Sequence, residues 1–232
     1  MSIVIVMLSI VSTPIGNLKD ITLRAIETLT ACDAIICEDT RVTGKLLEHL
    51  NIPKKELIAF HSYSNERVLE EIIKRLERGE HLVLVSDAGT PCISDPGFKI
   101  VSKLEAEVVP GPSAFLAALS ISGLPINQFI YLGFLPLKKG RKTLLESFNH
   151  ELRTIVFYES VHRIERTLSE LASALKEQPD RNIVICRELT KIYEEVIRTS
   201  VKELPVVAKN ITKKGEFVVL IGDQRSPPSR CL

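Results

Sequence analysis

Short apolar runs, many of them β-branched, alternate along this chain with longer stretches whose apolar positions recur every three or four residues. The runs 5–11, 34–37, 57–60, 82–85, 107–109, 128–133, 154–158, 183–186 and 217–221 read as strands. Between them, Asp20 is placed to cap a helix to about Thr30, with Ile21, Leu23, Ala25, Ile26 and Leu29 on its apolar side. Segment 64–78 carries Val68, Leu69, Ile72, Ile73 and Leu76 at helical spacing, and Gly79 stops it. Segments 112–122 and 160–176 complete the clear helices. Such alternation predicts an α/β fold in which mostly parallel or mixed sheets are flanked by helices. The turn Ser122-Gly-Leu-Pro-Ile-Asn127 divides it into domains 1–123 and 124–222, with 223–232 as a flexible tail around Ser226-Pro-Pro-Ser.

Composition narrows the class. The chain has 232 residues, 45% hydrophobic and 25% charged, which is ordinary for a soluble globular protein. A net charge of +1 gives no global drive toward nucleic acid, so an RNA partner needs a local basic patch. The five cysteines, Cys32, Cys37, Cys92, Cys186 and Cys231, lack ligand spacing, and their odd number favours a reducing compartment. Residues 1–11 read as a buried first strand rather than a leader or a membrane span. The expectation is a cytoplasmic protein without a membrane partner.

Polar loops follow the strands. The richest is Ser86-Asp-Ala-Gly-Thr-Pro-Cys-Ile-Ser-Asp-Pro-Gly97, where glycine admits close approach of a ligand and proline fixes the path. Ligands sit at the carboxyl ends of strands in open α/β sheets. Thr13-Pro-Ile-Gly-Asn17 is a glycine turn without the dinucleotide fingerprint, and no phosphate-loop motif is present. Glu38-Asp39-Thr40-Arg41 suits a polar substrate or an acidic helix start. Phe60-His61 with Asn65-Glu66 offers a proton carrier or a turn. Pro110-Gly-Pro-Ser113-Ala114 opens a helix with free N–H groups. In the second half, Tyr158-Glu-Ser-Val-His162-Arg163, Arg187-Glu-Leu-Thr-Lys191 and Lys138-Lys-Gly-Arg-Lys142 bring charge to strand ends or turns. The five histidines show no paired metal spacing. These loops are expected to converge on one interdomain cleft.

Taken in order, Thr13–Asn17 with Asp20-Ile-Thr-Leu23, Glu38–Arg41, Phe60-His61, Ser86–Gly97, Pro110–Ser113, Ser122-Gly-Leu-Pro125, Gly133-Phe-Leu-Pro136, Tyr158-Glu-Ser with His162-Arg-Ile164, and Arg187–Lys191 carry a resemblance. From about residue 8 to 222 the chain resembles the ribosomal RNA small-subunit methyltransferase I family, cytidine 2′-O-methyltransferases of the tetrapyrrole-methylase superfamily. The resemblance implies two α/β domains holding S-adenosyl-L-methionine between them, a homodimer, and action on 16S rRNA or the small ribosomal subunit, with no metal. It implies cofactor contacts at Pro14, Ile15, Gly89, Thr90, Ile93, Ser94, Ser113 and Ala114, then Tyr158, Glu188, Leu189 and Glu216. Arg41, Asn65, Lys138, Lys139, Arg141 and Arg163 are the expected RNA contacts. Removal of the ribose proton falls to Asp39, His61, Asp87 or Glu188, a carboxylate of the first domain being preferred. A methyltransferase on a tetrapyrrole or a protein side chain, and a binding module without transfer, are the competing readings. The chain departs from the family pattern at Val161, at Cys92 and in the short stretch 98–109.

Overall fold

The first sheet is built from β1 (Met7–Val11), β2 (Ala34–Cys37), β3 (Glu56–Ala59), β4 (His81–Leu84) and β5 (Glu107–Val109), in the order β3-β2-β4-β1-β5. Every neighbouring pair is parallel. The computed structural model describes residues 7–61, 66–94 and 97–223. It falls into two units, Met1–Ser113 and Ala114–Leu232. Ile5 and Val6 of the expected first strand, Asn65, and the tail beyond Asp223 lie outside the described residues.

Parallel strands bury both faces, and the side chains of β1, β2 and β4 divide accordingly. Leu8, Ile10, Ala34, Ile36, Leu82 and Leu84 meet Leu69, Ile72 and Leu76 of α3 (Glu66–Glu77) and Ile100 of α4 (Phe98–Val101). The alternate set, Val11, Ile35, Cys37, Val83 and Val85, meets Ala25 and Leu29 of α1 (Leu23–Ala31) and Leu47 of α2 (Thr40–His49). Two core layers result from one period-2 pattern. The cap of α1 is Thr22, whose hydroxyl accepts from the Ala25 N–H at 3.1 Å, and not Asp20. Asp20 closes a single tighter turn, Leu18–Asp20, before the helix begins. Gly79 ends α3 as expected, at φ +84°.

The second unit begins with α5 (Ala114–Ser122), which packs on β7 and β10 of its own sheet. The two units divide at 113/114, ten residues before the 123/124 division expected from the sequence. Its strands are β6 (Phe129–Phe134), β7 (Thr154–Ser160), β8 (Asn182–Arg187), β9 (Glu195–Ser200) and β10 (Glu216–Ile221), ordered β6-β7-β10-β8-β9. Only β6 and β7 are parallel; β10 runs antiparallel to both β7 and β8. The sheet is therefore mixed. One face carries α6 (Arg141–Ser147), α7 (Ile164–Ala174) and α8 (Leu204–Asn210), with Phe157, Leu168, Leu171, Leu204, Phe217 and Val219 at the centre of the core. Among the described residues no helix is long and apolar enough to cross a membrane.

Candidate functional site

In the first unit, β1 and β4 are neighbours whose onward connections run in opposite directions, β1 toward β2 and β4 toward β5. Beyond the carboxyl ends of two such strands an α/β sheet opens a crevice. Here the loops are laced together there. Thr13 and Gly89 exchange backbone hydrogen bonds, 2.9 Å from the Thr13 N–H and 3.1 Å from the Gly89 N–H. The Thr13 hydroxyl donates to the Ser86 carbonyl at 3.1 Å, and the Ser86 hydroxyl to the Gly89 carbonyl at 3.2 Å. Ser12 Oγ donates to Thr90 Oγ1 at 3.2 Å, and Thr90 Oγ1 donates to the Pro112 carbonyl at 3.0 Å.

Glycine is required at two of these crossings. Gly89 has φ +84°, and a Cβ there would meet Ile15 Cγ2 at 3.3 Å. A Cβ on Gly111 would lie 2.8 Å from Ser12 Cβ. The structure thus gathers Pro14, Ile15, Gly89, Thr90 and Ser113 into one lining of which Pro14, Ile15, Gly89 and Ser113 are buried. Ile93 is half-buried and Ser94 exposed farther along the loop, where Cys92 and Ser94 sit at φ +71° and +66°. Non-glycine residues held in that region mark backbone over-determined by its surroundings. Ser12 and Ser86, which tie the loops, were missed by sequence reasoning; Ser86 opens the motif and gave the one available signal.

The carboxylates of this edge are unequal. The Asp39 N–H donates to Asp87 Oδ1 at 3.1 Å. Asp39 itself caps α2 through the Arg41 N–H at 2.8 Å and grips the Arg41 guanidinium at 2.6 Å. These hydrogen bonds from Arg41 pull its carboxyl down to about 2. Asp87 goes the other way. Partial desolvation raises its carboxyl, the Asp39 N–H opposes the rise and the Asp39 charge adds to it. The residue as a whole is exposed. His61 stands exposed just after β3.

In the second unit, Glu188 (φ +51°) and Thr190 (φ +65°) bracket Leu189, which is buried. The Lys191 ammonium donates to Glu188 Oε1 at 2.8 Å and to Glu216 Oε2 at 2.9 Å. The Glu216 N–H reaches the same Glu188 oxygen at 3.1 Å. Burial works to raise Glu188, but the Lys191 ammonium and the Glu216 N–H outweigh it and hold the carboxyl below its ordinary value. A side chain on Gly215 would run into that of Glu188. The Tyr158 hydroxyl accepts from the Phe115 N–H at 3.3 Å, at the start of the helix that Ala114 opens. Its ring meets Tyr131 edge-on at 5.5 Å.

Two expected RNA contacts are committed elsewhere. Arg141 is only 4% exposed. Its guanidinium donates to Glu170 at 2.7 Å, to Thr167 at 2.6 Å and to the Pro136 carbonyl at 3.1 Å, beside the buried Glu159. Arg163 pairs with Glu159 at 2.8 Å and donates to the Leu135 carbonyl at 3.0 Å. Both are tied into the core by charge pairing, because an arginine taken out of water needs acceptors for its donors. Lys138 and Lys139 remain exposed on their turn, while Arg41 is exposed but bound to Asp39. Among the described residues no group of three His, Cys, Asp or Glu side chains is placed to hold a metal ion.

Comparison with known proteins agrees with this layout. Residues 7–205 match the family model of tetrapyrrole (corrin/porphyrin) methylases. Ribosomal RNA small subunit methyltransferase I of Xylella fastidiosa is 46% identical over 222 residues, covering 92% of this chain and 80% of that protein. The backbone resembles the cobalamin biosynthetic enzyme cobalt precorrin-4 methyltransferase, with a TM-score of 0.69 at 20% identity, over 96% of this chain and 97% of that one. It also resembles uroporphyrin-III C-methyltransferase from Thermus thermophilus, solved with S-adenosylhomocysteine, with a TM-score of 0.63 at 19% identity over 94% and 98% of the two chains. The chain belongs to the tetrapyrrole (corrin/porphyrin) methylases and, within them, to the family of ribosomal RNA small subunit methyltransferase I.

Proposed function

We propose that this chain transfers a methyl group from S-adenosyl-L-methionine to the ribose 2′-oxygen of a cytidine in 16S ribosomal RNA. The rRNA substrate class follows from the relatives' name, as for the Xylella fastidiosa protein at 46% identity. The observation that carries a cofactor site is the laced loop edge of the first unit. Pro14 and Ile15 give it an apolar wall, Gly89 leaves backbone bare where a Cβ would press on Ile15, and Ser12, Ser86 and Thr90 tie the loops together. Such a surface suits a ligand with a flat apolar ring and several polar groups. Pro14, Ile15, Gly89, Thr90, Ile93, Ser94 and Ser113 are the residues of the first unit that would hold it.

When bound, the cofactor supplies a methyl already activated on a sulfonium. The chain's residues then have two tasks, to orient the 2′-hydroxyl and to accept its proton. Asp87 fits the second. Its carboxyl is raised, so it takes up a proton more readily than an ordinary aspartate, and no cation pairs with it among the described residues. Asp39 and Glu188 are held down by Arg41 and Lys191, which makes them weak bases. In this reading Asp39 sets the Asp87 carboxylate through its N–H, and the exposed Lys138 and Lys139 meet RNA phosphates. The protein acts in the cytoplasm on the small ribosomal subunit, as a homodimer.

The test is transfer of labelled methyl from the cofactor to purified small ribosomal subunits, followed by mapping of 2′-O-methyl positions. Label at a single cytidine ribose is expected. Label on a base, or on protein, sinks the 2′-O assignment.

A further inference from the structure

The structure assigns a second anion-binding place to the sheet edge of the second unit: a cavity that takes a phosphate of the RNA backbone. It rests on the RNA reading above and adds a subsite to it. β7 ends at Ser160, which pairs in register with Glu216, the first residue of β10. The chain leaving β7 and the chain entering β10 therefore depart from the sheet side by side. Between them opens a cavity of about 580 Å³ lined by Val161, His162, Glu165, Lys213, Lys214 and Gly215. That volume lies within the range of about 300–1,000 Å³ in which small ligands are held.

The lining is basic. Lys213 is paired with Glu165, which holds its ammonium at the rim, with both side chains about half exposed (52% and 49%). Lys214 is exposed and makes no ion pair among the described residues. The loop carrying both is fixed by two hydrogen bonds: the Lys214 N–H donates to the Thr212 carbonyl at 2.9 Å and the Arg187 guanidinium donates to the Lys214 carbonyl at 3.5 Å. His162, exposed, adds an imidazole to the lining. Immediately beyond Gly215 stands Glu216, already in the knot with Glu188 and Lys191. The cavity thus adjoins residues assigned to the cofactor, where a nucleotide about to react must be held by its flanking phosphates.

Phosphate contacts position a nucleic acid and need cations with charge to spare. Arg141 and Arg163 spend theirs on Glu159 and Glu170. Lys214, with Lys213 released from Glu165, supplies the charge those arginines do not.

The experiment measures binding of protein-free 16S rRNA and of purified small subunits across a salt series, for wild type, the double variant Lys213→Gln/Lys214→Gln, and Glu165→Gln. Calorimetric cofactor binding serves as the folding control. The double variant is expected to bind roughly tenfold more weakly, with the salt slope reduced by about 0.7 for each phosphate that is no longer neutralised. Glu165→Gln, which frees Lys213, is expected to bind roughly twofold to threefold more tightly. If the double variant binds with wild-type affinity and slope, the cavity is not a subsite although the RNA reading stands. If wild type binds neither substrate, the RNA reading falls and the subsite falls with it.

Discussion

The amide of Asp39 points its hydrogen at Asp87 Oδ1, 3.1 Å away, while the Asp39 carboxylate turns aside to Arg41. Two acidic residues at one sheet edge are thereby given different work. One is neutralised and serves as scaffold; the other keeps its charge and its proton affinity.

Asp87→Asn should therefore lower single-turnover methyl transfer by about 10²–10⁴-fold, the usual worth of a positioned proton acceptor. Cofactor affinity should be kept. Asp39→Asn retains the N–H and should lose less than about tenfold. The pH profile separates them further. Transfer needs Asp87 deprotonated, so the acid limb rises through its elevated pKa. Removing the Asp39 charge takes away one cause of that elevation, and the limb should move to lower pH. A limb that stays in place in the Asp39 variant would rule out the coupling.

Gly89→Ala is expected to damage the cradle directly. The position has φ +84° and the new methyl would press on Ile15. Strain of about 1–3 kcal/mol follows from such backbone. Thermal melting should show the loss, and calorimetry should show cofactor affinity falling further than the melting shift accounts for. Gly111→Ala, directed at Ser12, should act in the same sense.

The buried charges of the second unit predict a steep cost. Glu159 is 1% exposed and is shared by Arg141 and Arg163. Glu159→Leu strips Arg163 of its carboxylate and Arg141 of one of its two, and breaking a buried pair from one side costs about 3–5 kcal/mol. Urea denaturation should show that loss. A variant within about 0.5 kcal/mol of wild type would mean that the network carries no stability.

Glu151 gives a pH signature of stability. Arg153 grips it through Nε at 2.8 Å and through its N–H at 2.9 Å, which lowers its carboxyl from 4.5 to about 2. A depressed carboxylate stabilises the fold above its unfolded value and loses that contribution as pH falls toward the folded one. The gap in melting temperature between wild type and Glu151→Gln should hold steady above pH 4.5 and close between pH 4.5 and 2. A gap independent of pH would refute this.

The first unit was largely legible in its residues, since β2 and β4 are apolar on both faces and little else reads that way. β9 escaped because it is a half-exposed edge strand, Glu-Val-Ile-Arg-Thr-Ser, that pairs only with β8. Asp20 and Thr22 are both good capping residues, and only the path of the backbone chose between them. That α5 packs with the second sheet is a tertiary fact with no local mark. Motifs named Gly89 and Pro112, but the order β4-β1-β5 brought their loops together. The cluster around Lys138 showed charge without showing that Arg141 would be drawn inward by Glu159 and Glu170, residues of a later strand and helix.

Strand β10 is the last element among the described residues yet sits in the middle of its sheet, between β7 and β8. During synthesis those two strands wait with open ribbon edges until residues 216–221 leave the ribosome, whereas the first sheet has its final strand by residue 109. Folding on the ribosome is thus ordered, first unit then second, with one long vulnerable interval between them. A chain halted before β10 would expose two sticky margins at once, and quality control would meet it as an aggregation risk.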